Sequence, residues 1–414
     1  MPLPHSRPAS PQHGSGFLPY GRQLIENDDI EAVVEALKSD YLTTGPLVGE
    51  FERRLAETVG ARETVACANG TAALYLAARA LGLGLGHTAI VPTLTFLATA
   101  TGPHLAGADI VFADVDPETG LMRPQDLEQA LARMPGRRAD AIFPVHYAGQ
   151  SCDMAAIAEL ARARSMHIVE DAAHALGTCW LGADGAVTPV GANLHADLTI
   201  FSFHPVKTIA MGEGGAVSAN DPELIRRLRR LRNHGITREP SEFLRSDAGF
   251  DGTGAPNGWY YELHAPSFNF RIPDLNCALG LSQLSKLARF VVHRSRLTAA
   301  YDELLAPLAP LVLPLARQAR SATGWHIYPA RIDFDTAGIE RSALMAALAA
   351  DGIGTQVHYV PVHRQPYFTA RHDGTALPGA DSYYARTLSL PLHAAMTVSD
   401  AERVVAALRR HLRA

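Results

Sequence analysis

The sequence is poor in lysine and in cysteine. Of its 37 lysine and arginine residues, only Lys38, Lys207 and Lys286 are lysines, and four of its 414 residues are cysteines. The cysteines lie far apart and form no C-x-x-C pair, which argues against a disulfide framework or a structural zinc site. A reaction that needs a lysine therefore has three candidates in this chain.

A net positive charge and a long apolar run are also missing. The formal charge is -5 at pH 7, so no net basic field attracts a nucleic acid. No apolar run approaches the roughly 20 residues of a membrane-spanning helix. Residues 1–16 are rich in Pro, Ser, His and Gly, which is typical of a flexible tail and not of a secretory signal. We expect a cytoplasmic protein that binds neither nucleic acid nor a membrane.

The remaining composition is that of a globular protein, with 47% hydrophobic and 19% charged residues. From Glu63 onward, short apolar runs alternate with helical stretches, a pattern that predicts βαβ units and a mainly parallel sheet. Past Leu284 the sequence turns to Ala- and Leu-rich helices with one further strand. We therefore expect an α/β protein with a large domain over residues 17–284, carrying an N-terminal arm, and a smaller α+β domain over residues 285–414.

Three segments carry further structural expectations. Ile30, Val33, Val34 and Leu37 follow the spacing of a helix with one buried face, with Asn27 or Asp28 as its N-cap. Lys38 and Lys286 lie in amphipathic patterns, where solvent-exposed positions are easily found. Residues 239–261 are dense in Gly, Pro, Asp and Ser, and we interpret them as a surface excursion of unknown role.

Lys207 is the strongest candidate for chemistry. It follows the apolar run that ends at Phe203 and precedes the glycine-rich turn Gly212–Gly215. A lysine removed from water in this way loses basicity, so a neutral amine becomes available as a nucleophile. The alternative is a surface lysine at a strand end, which the apolar neighbours Val206 and Ile209 disfavour.

Two other motifs stand where a parallel sheet forms its ligand crevice. Asp171 ends the apolar run before His174, and the carboxyl ends of parallel strands line that crevice. Asn69-Gly70-Thr71 opens a helix, where free N–H groups favour a phosphate. Each motif has a structural alternative, because a strand-terminal Asp also caps helices, and a lone histidine is commonly structural.

Other patterns favour structural interpretations. Gly82–Gly86 follows a helix instead of a strand, so it predicts a helix end and turn and not a dinucleotide loop. The arginines of Arg226–Arg232 interleave with leucines at helical spacing, which favours a solvated helix face over a nucleic-acid stripe. The 18 histidines contain no H-E-x-x-H pair, so no metal is expected.

Taken together, the motifs resemble the pyridoxal-phosphate (PLP) enzymes of the aspartate-aminotransferase superfamily, and within it the DegT/DnrJ nucleotide-sugar aminotransferases. The resemblance spans the chain from Phe17 onward. The motifs that carry it are Leu42–Pro46, Ala68–Leu74, Pro92–Ala100, Glu170–His174, Ser202–Lys207 with Gly212–Val217, Asn233–Gly235 and Phe268–Arg271.

This resemblance implies a PLP-dependent transferase fold and a set of site residues. Lys207 would bind the cofactor covalently and move protons, and Asp171 would pair with the pyridine nitrogen, so these two are the catalytic candidates. Residues at other matching positions would complete the cofactor site, and Asn269 would reach it from a partner subunit, so a homodimer with shared sites is implied. These further residues are Gly70, Thr71, Phe96, His174, Ser202 and Asn269.

A finer resemblance indicates one branch of the family. The segments Gly258–Glu262, Ala278–Leu284, Gln356–Val362 and Ser389–His393 are similar to enzymes of pseudaminic acid biosynthesis. These transfer an amino group from L-glutamate to C4 of a UDP-linked 4-keto-6-deoxy-N-acetylhexosamine. Tyr20, His358 and His363 would then contact the sugar or its diphosphate.

Several alternatives stay open at this stage. The chain could act on another keto nucleotide sugar, linked to dTDP or GDP or aminated at C3, and neither the nucleotide, the stereochemistry nor the donor follows from the motifs. The sugar 3-dehydratases of the family carry His at the position of Lys207, which disfavours that reaction. A PLP-binding regulator without turnover would need a fused DNA-binding segment, and residues 1–16 are too short for one.

Overall fold

The computed structural model describes residues 16–371 and 374–413, so the tail predicted over residues 1–16 lies almost wholly outside the described residues. Its strands are β1 (Glu63–Cys67), β2 (Thr88–Pro92), β3 (Asp109–Ala113), β4 (Ala141–Ile142), β5 (His167–Asp171), β6 (Cys179–Leu181), β7 (Val187–Pro189), β8 (Leu198–Ser202), β9 (Gly215–Ala219), β10 (Ile236–Thr237), β11 (Glu262–Leu263), β12 (Val312–Leu313), β13 (Ser321–Ala322), β14 (Tyr328–Ile332) and β15 (Thr387–Leu390).

The helices connect these strands and cover them. They are α1 (Asn27–Lys38), α2 (Pro46–Val59), α3 (Gly70–Ala80), α4 (Ala98–Leu105), α5 (Pro124–Ala132), α6 (Met154–Arg162), α7 (Pro222–Arg232), α8 (Ser246–Gly249), α9 (Asp274–Ser285), α10 (Leu287–Leu305), α11 (Phe334–Ala337), α12 (Arg341–Ala350), α13 (Pro366–Thr369), α14 (Pro378–Arg386) and α15 (Val398–Leu412). None of the helices within the described ranges is long and apolar enough to cross a membrane.

A seven-stranded sheet in the order β1-β9-β8-β5-β4-β2-β3 forms the centre of the fold. Strands β8, β5, β4, β2 and β3 run parallel to one another, and β9 is antiparallel to both β8 and β1. The βαβ pattern therefore predicted the mainly parallel sheet correctly. β1, β2, β5 and β8 run in one direction, so the residues after their carboxyl ends meet at one edge.

A second sheet, of order β12-β14-β15, lies in the C-terminal part of the chain. Its strands are antiparallel, with Tyr328 opposite Leu390; helix α14 packs against β14, and helices α12 and α15 pack against each other. This is the predicted change to α+β character. The division between residues 284 and 285 falls where α9 gives way to α10, and it stays a prediction.

The structural interpretations of the glycine and arginine patterns are confirmed. Helix α3 ends at Ala80, and Gly82 follows with a positive φ of 79°. Helix α7 buries Leu224, Leu228 and Leu231, while Arg226 and Arg227 form exposed ion pairs with Glu223. Neither segment contributes to the site described below.

The buried face predicted for α1 is wrong, although the helix itself is present. Ile30, Val34 and Leu37 are 54%, 38% and 56% exposed, and the N-cap is Glu26 instead of Asn27 or Asp28. The helix packs against α9 through its other side, where Asp29 is fully buried. A polar contact with α9 therefore decides its orientation, and its apolar stripe stays uncovered in the single chain.

Lys286 supplies part of that contact, against the expectation of a solvent-exposed position. Its ammonium lies 2.6 Å from Asp28, 2.8 Å from Asp29 and 3.3 Å from Glu26, and the side chain is buried. Three carboxylates around one lysine offset its loss of hydration. Lys286 therefore anchors the N-terminal helix and is not available for chemistry.

The predicted surface excursion is an ordered loop between β10 and β11. Phe243 packs edge-on against Phe250 and Tyr260 at ring distances of 5.9 and 4.9 Å. Glu262 accepts hydrogen bonds from the N–H groups of Leu244 and Arg245. These contacts hold the loop in one conformation, although it is rich in glycine and proline.

Candidate active site

The edge at the carboxyl ends of the parallel strands holds a cavity of about 650 Å³. Asp171 ends β5, Ser202 ends β8, and the turns after β1 and β2 bring Gly70 and Phe96 to the same place. Nine of the eleven predicted site residues line this cavity. They are Tyr20, Gly70, Thr71, Phe96, Asp171, His174, Ser202, Lys207 and His358.

Lys207 projects into the cavity from the loop after β8. Its backbone N–H donates to the carbonyl of His204 at 2.8 Å, which closes a turn at this point. Burial lowers the pKa of the Lys207 ammonium to about 8, and the nearby charge of Asp171 opposes that shift. A substantial share of the amine is therefore neutral near pH 8, as a nucleophile or a proton acceptor requires.

Asp171 is 5% exposed and is held in one orientation by two donors. The Thr99 hydroxyl donates to Oδ2 at 2.7 Å, and the Ala173 N–H donates to Oδ1 at 3.0 Å. Burial raises the pKa of the carboxyl above its usual range, while these donors and Lys207 lower it. The carboxylate can therefore stabilise a cationic group brought into the cavity.

Three histidines surround Lys207 in neutral form. Burial lowers the pKa of His358 to about 3, and burial, reinforced by the Lys207 charge, holds the pKa values of His174 and His326 well below their usual range. The rings of His174 and His326 lie 4.4 Å apart. His174 Nε2 pairs with the Tyr359 hydroxyl at 2.9 Å, and its Nδ1 is buried without a partner among the described residues.

The start of α3 forms an anion cradle. Asn69 caps the helix by accepting from the N–H of Ala72 at 2.8 Å, which leaves the N–H groups of Gly70 and Thr71 at the cavity. A Cβ on Gly70 would lie 2.8 Å from Cβ of Ser202 and 3.1 Å from its hydroxyl. Glycine is therefore required here, and helix N–H groups beside a hydroxyl are suited to a phosphate.

The N-terminal arm covers the opposite side of the cavity. Leu18 pairs with Ile353, and the carbonyl of Tyr20 accepts from the N–H of Leu392 at 3.0 Å. The Tyr20 ring lies 5.5 Å from that of His358, whose Nδ1 is 2.8 Å from the Ser389 hydroxyl. Residues far apart in the sequence thus build this wall.

Two predicted site residues lie away from the cavity of their own chain. His363 Nδ1 is 2.6 Å from the Thr93 hydroxyl, and its Nε2 lies 3.9 Å from Asp381. Asn269 is exposed, and its side-chain oxygen accepts from the N–H of Arg271 at 3.1 Å. The sugar contact expected for His363 has no support in this arrangement, whereas the partner role expected for Asn269 needs an exposed position.

Sequence analysis missed other residues of the cavity. Thr99, His326, Tyr359 and Gln356 all line it. Thr99 had a detectable signal, since it lies one helical turn after Thr95 in the predicted motif Pro92–Ala100. Gln356 and Tyr359 lie in the segment Gln356–Val362 that carried the finer resemblance, although neither was singled out. His326 had no signal, because it reaches Lys207 only through the path of the C-terminal part of the chain.

The residues present fit PLP. The Gly70 and Thr71 N–H groups with the Ser202 hydroxyl would hold its phosphate, and Asp171 would face a protonated pyridine nitrogen. Phe96, half exposed at the cavity, offers a ring face for stacking. The unpartnered Nδ1 of His174 is a polar atom that a bound group can satisfy. Lys207 would supply the amine that attaches the cofactor.

Comparisons with known proteins agree with this geometry. The profile of the DegT/DnrJ/EryC1/StrS aminotransferase family matches residues 23–409. Spore coat polysaccharide biosynthesis protein SpsC of Bacillus subtilis (strain 168) is 37% identical over 402 residues, which cover 96% of this chain and 98% of SpsC.

Comparison with solved structures also finds sugar aminotransferases. Helicobacter pylori PseC, an aminotransferase involved in the biosynthesis of pseudoaminic acid, has a TM-score of 0.84 at 26% identity, covering 96% of this chain and 99% of PseC. The PLP form of the putative sugar aminotransferase Spr1654 from Streptococcus pneumoniae has a TM-score of 0.81 at 26% identity, covering 96% and 99%. The chain belongs to the DegT/DnrJ/EryC1/StrS aminotransferase family and is a pyridoxal-phosphate-dependent aminotransferase.

Proposed function

We propose that this sugar aminotransferase transfers the amino group of L-glutamate to C4 of a UDP-linked 4-keto-6-deoxy-N-acetylhexosamine. One observation carries the aminotransferase chemistry, namely that a lysine with a pKa of about 8, a buried carboxylate and a helix N-terminus share one cavity. The product would be UDP-4-amino-4,6-dideoxy-N-acetyl-β-L-altrosamine.

Lys207 has two tasks in this proposal. Its amine would hold the cofactor between turnovers, and the free amine would take the proton from Cα of glutamate. Bound PLP supplies an electron-withdrawing ring that stabilises the negative charge left at Cα. Asp171 keeps the ring nitrogen protonated, because its carboxylate is buried and oriented by Thr99 and the Ala173 N–H. The keto sugar is then aminated by the same steps in reverse.

The neutral histidines suit this exchange of protons. His174, His326 and His358 add no positive charge beside Lys207, so they do not oppose its uptake of a proton. Their N–H groups and the Tyr20 hydroxyl can still donate hydrogen bonds to a sugar. We assign Tyr20 and His358 to substrate contact because both line the cavity.

The choice of sugar is supported by likeness in structure and in sequence. PseC covers the chain almost completely, and the segments Gly258–Glu262 and Gln356–Val362 carry the finer resemblance. SpsC supports a second candidate, another keto nucleotide sugar, because it is more similar in sequence than PseC and acts in spore coat polysaccharide biosynthesis.

We further propose a homodimer that shares its active sites. Asn269 is exposed on its own chain, as a residue that completes a partner's site must be. Helix α1 and the residues after it expose an apolar surface made of Ile30, Val34, Leu37, Tyr41 and Leu42. Burial of such a surface favours association.

Absorption spectra of the purified protein with PLP test the first half of the reaction. L-Glutamate alone should replace the band of the lysine-bound cofactor with that of pyridoxamine phosphate, and 2-oxoglutarate should appear in equal amount. A band that glutamate leaves unchanged would count against the donor or the reaction class.

The second half requires the sugar. UDP-, dTDP- and GDP-linked keto sugars are each added to the pyridoxamine form, and the product is analysed by NMR for the carbon that bears the new amine. Amination at C4 of the UDP-linked N-acetylhexosamine with altro configuration supports the proposal. Faster return of the PLP band with another sugar, or an amine at C3, favours the second candidate.

A further inference from the structure

Arg294 is a fully buried arginine behind the active-site cavity, and sequence analysis gave it no role. It lies in α10 and is 1% exposed. No carboxylate within the described ranges forms an ion pair with it, and burial lowers the pKa of its guanidinium to about 10. A buried cation without a counter-ion is costly unless dipoles solvate it.

The groups that solvate Arg294 are backbone carbonyls. Nη1 donates to the carbonyls of Leu392 at 2.9 Å and His326 at 3.0 Å, and Nη2 reaches the carbonyl of Lys207 at 3.5 Å. Nε stays buried without a partner among the described residues. The planar guanidinium contacts the three carbonyls through two separate nitrogens. A lysine ammonium in the same place would have to reach all three from a single nitrogen.

The three carbonyls come from three segments that meet at the cavity. In the register of β14 and β15, Tyr328 lies opposite Leu390, so His326 and Leu392 stand just beyond the end of the strand pair. The N–H of Leu392 in turn donates to the carbonyl of Tyr20. Arg294 therefore contacts the main chain of Lys207 and His326 directly, and that of Tyr20 through Leu392.

We propose that Arg294 is a positioning residue, which fixes the main chain at Lys207 relative to His326 and Tyr20 and so aims the lysine amine into the cavity. It does not itself line the cavity, and it acts through the residues that it holds. The inference rests on the proposed role of Lys207, but it does not depend on which sugar is the substrate.

The first test uses the cofactor-free protein. Lys38, Lys207 and Lys286 are the only lysines, so reductive methylation followed by mass spectrometry of peptides reports Lys207 separately. In Arg294→Met we expect faster labelling of Lys207 at a given pH, because the guanidinium no longer holds the main-chain carbonyls of Lys207, His326 and Leu392 together. Asp171, His174, His326 and His358, the titratable groups that face the amine, are unchanged in the variant.

The second test uses the holoenzyme with L-glutamate. Arg294→Lys keeps the positive charge but loses the planar guanidinium. We expect the rate of the first half-reaction to fall about ten- to a hundredfold, because misplacement of a reacting group slows a reaction by about this much. PLP content should be retained. Arg296, exposed on the same helix, provides the matched control, and Arg296→Lys and Arg296→Met should behave as the unaltered protein does.

Three results would overturn the proposal. The first is a rate of the glutamate half-reaction in Arg294→Lys that lies within twofold of the rate of the unaltered protein. The second is a rate of Lys207 labelling that is unchanged in Arg294→Met. The third is failure of both variants to fold, which would make the guanidinium a requirement of the fold. Loss of the glutamate response in the unaltered protein would instead count against the proposed function.

Discussion

The hydrogen bond from Thr99 to Asp171 allows a direct test of what sets the pKa of the Asp171 carboxyl group. The Thr99 hydroxyl donates to Oδ2 at 2.7 Å inside the protein, and a second hydroxyl, that of Thr95, lies 2.7 Å from it. Thr99→Val preserves the shape and removes the donor. A hydrogen bond to a charged group contributes about 1.5–3 kcal/mol, so the Asp171 pKa should rise by about one to two units.

The consequence for catalysis follows from that rise. Asp171 would take up a proton at a higher pH, so it would hold the ring nitrogen of the cofactor less firmly, and the acid side of the pH profile should move upward. Since about 1.4 kcal/mol corresponds to a factor of ten in rate, the glutamate half-reaction should slow by about ten- to a hundredfold. Asp171→Asn, which removes the charge altogether, should keep PLP bound and slow the reaction further.

Stopped-flow absorption of the glutamate half-reaction, recorded from acid to neutral pH, measures both effects. Thr101→Val in the same helix is the matched control, because no side-chain hydrogen bond of Thr101 is found in the described part of the chain. A Thr99→Val rate and acid limb that coincide with those of the control would refute the tuning of Asp171 by this bond.

Other predictions concern the lysine and the anion cradle. Lys207→Ala should abolish the lysine-bound cofactor band and turnover, whereas Lys38→Ala should change neither; steady-state amination by the first variant would contradict the assignment. Because only the neutral amine of Lys207 reacts, PLP association with the cofactor-free protein should rise with pH, reach half of its maximum rate near pH 8 and level off above it, and a midpoint near pH 10 would indicate an ordinary lysine. Gly70→Ala should raise the Kd of PLP by about tenfold or more, because the new methyl group meets Ser202, while Gly49→Ala, whose Cβ meets nothing within 4 Å, should leave it unchanged; equilibrium titration compares them.

Local pattern was sufficient for much of the fold and for the centre of the site. The alternation of apolar runs and helical stretches predicts β1 to β5, β8 and the helices α3 and α6, because each element must bury the side that its period makes apolar. Lys207, Asp171 and Gly70 were found because each stands at the carboxyl end of a strand or in the turn that follows it. Their meeting at one edge then follows from the common direction of those strands.

The sequence by itself thus determined most strands of the central sheet, their mainly parallel arrangement and the choice of Lys207 as the candidate lysine. The tertiary structure decided which side of each element packs against its neighbours. Helix α1, for example, turns its apolar stripe outward because Lys286 and Gln283 bind its buried Asp29. The tertiary structure also brought His326 and Tyr359 to Lys207 and placed Arg294 behind it. The spacing of apolar residues indicates which side of a helix or strand is apolar. Contacts between segments that are distant in the sequence depend instead on the path of the whole chain.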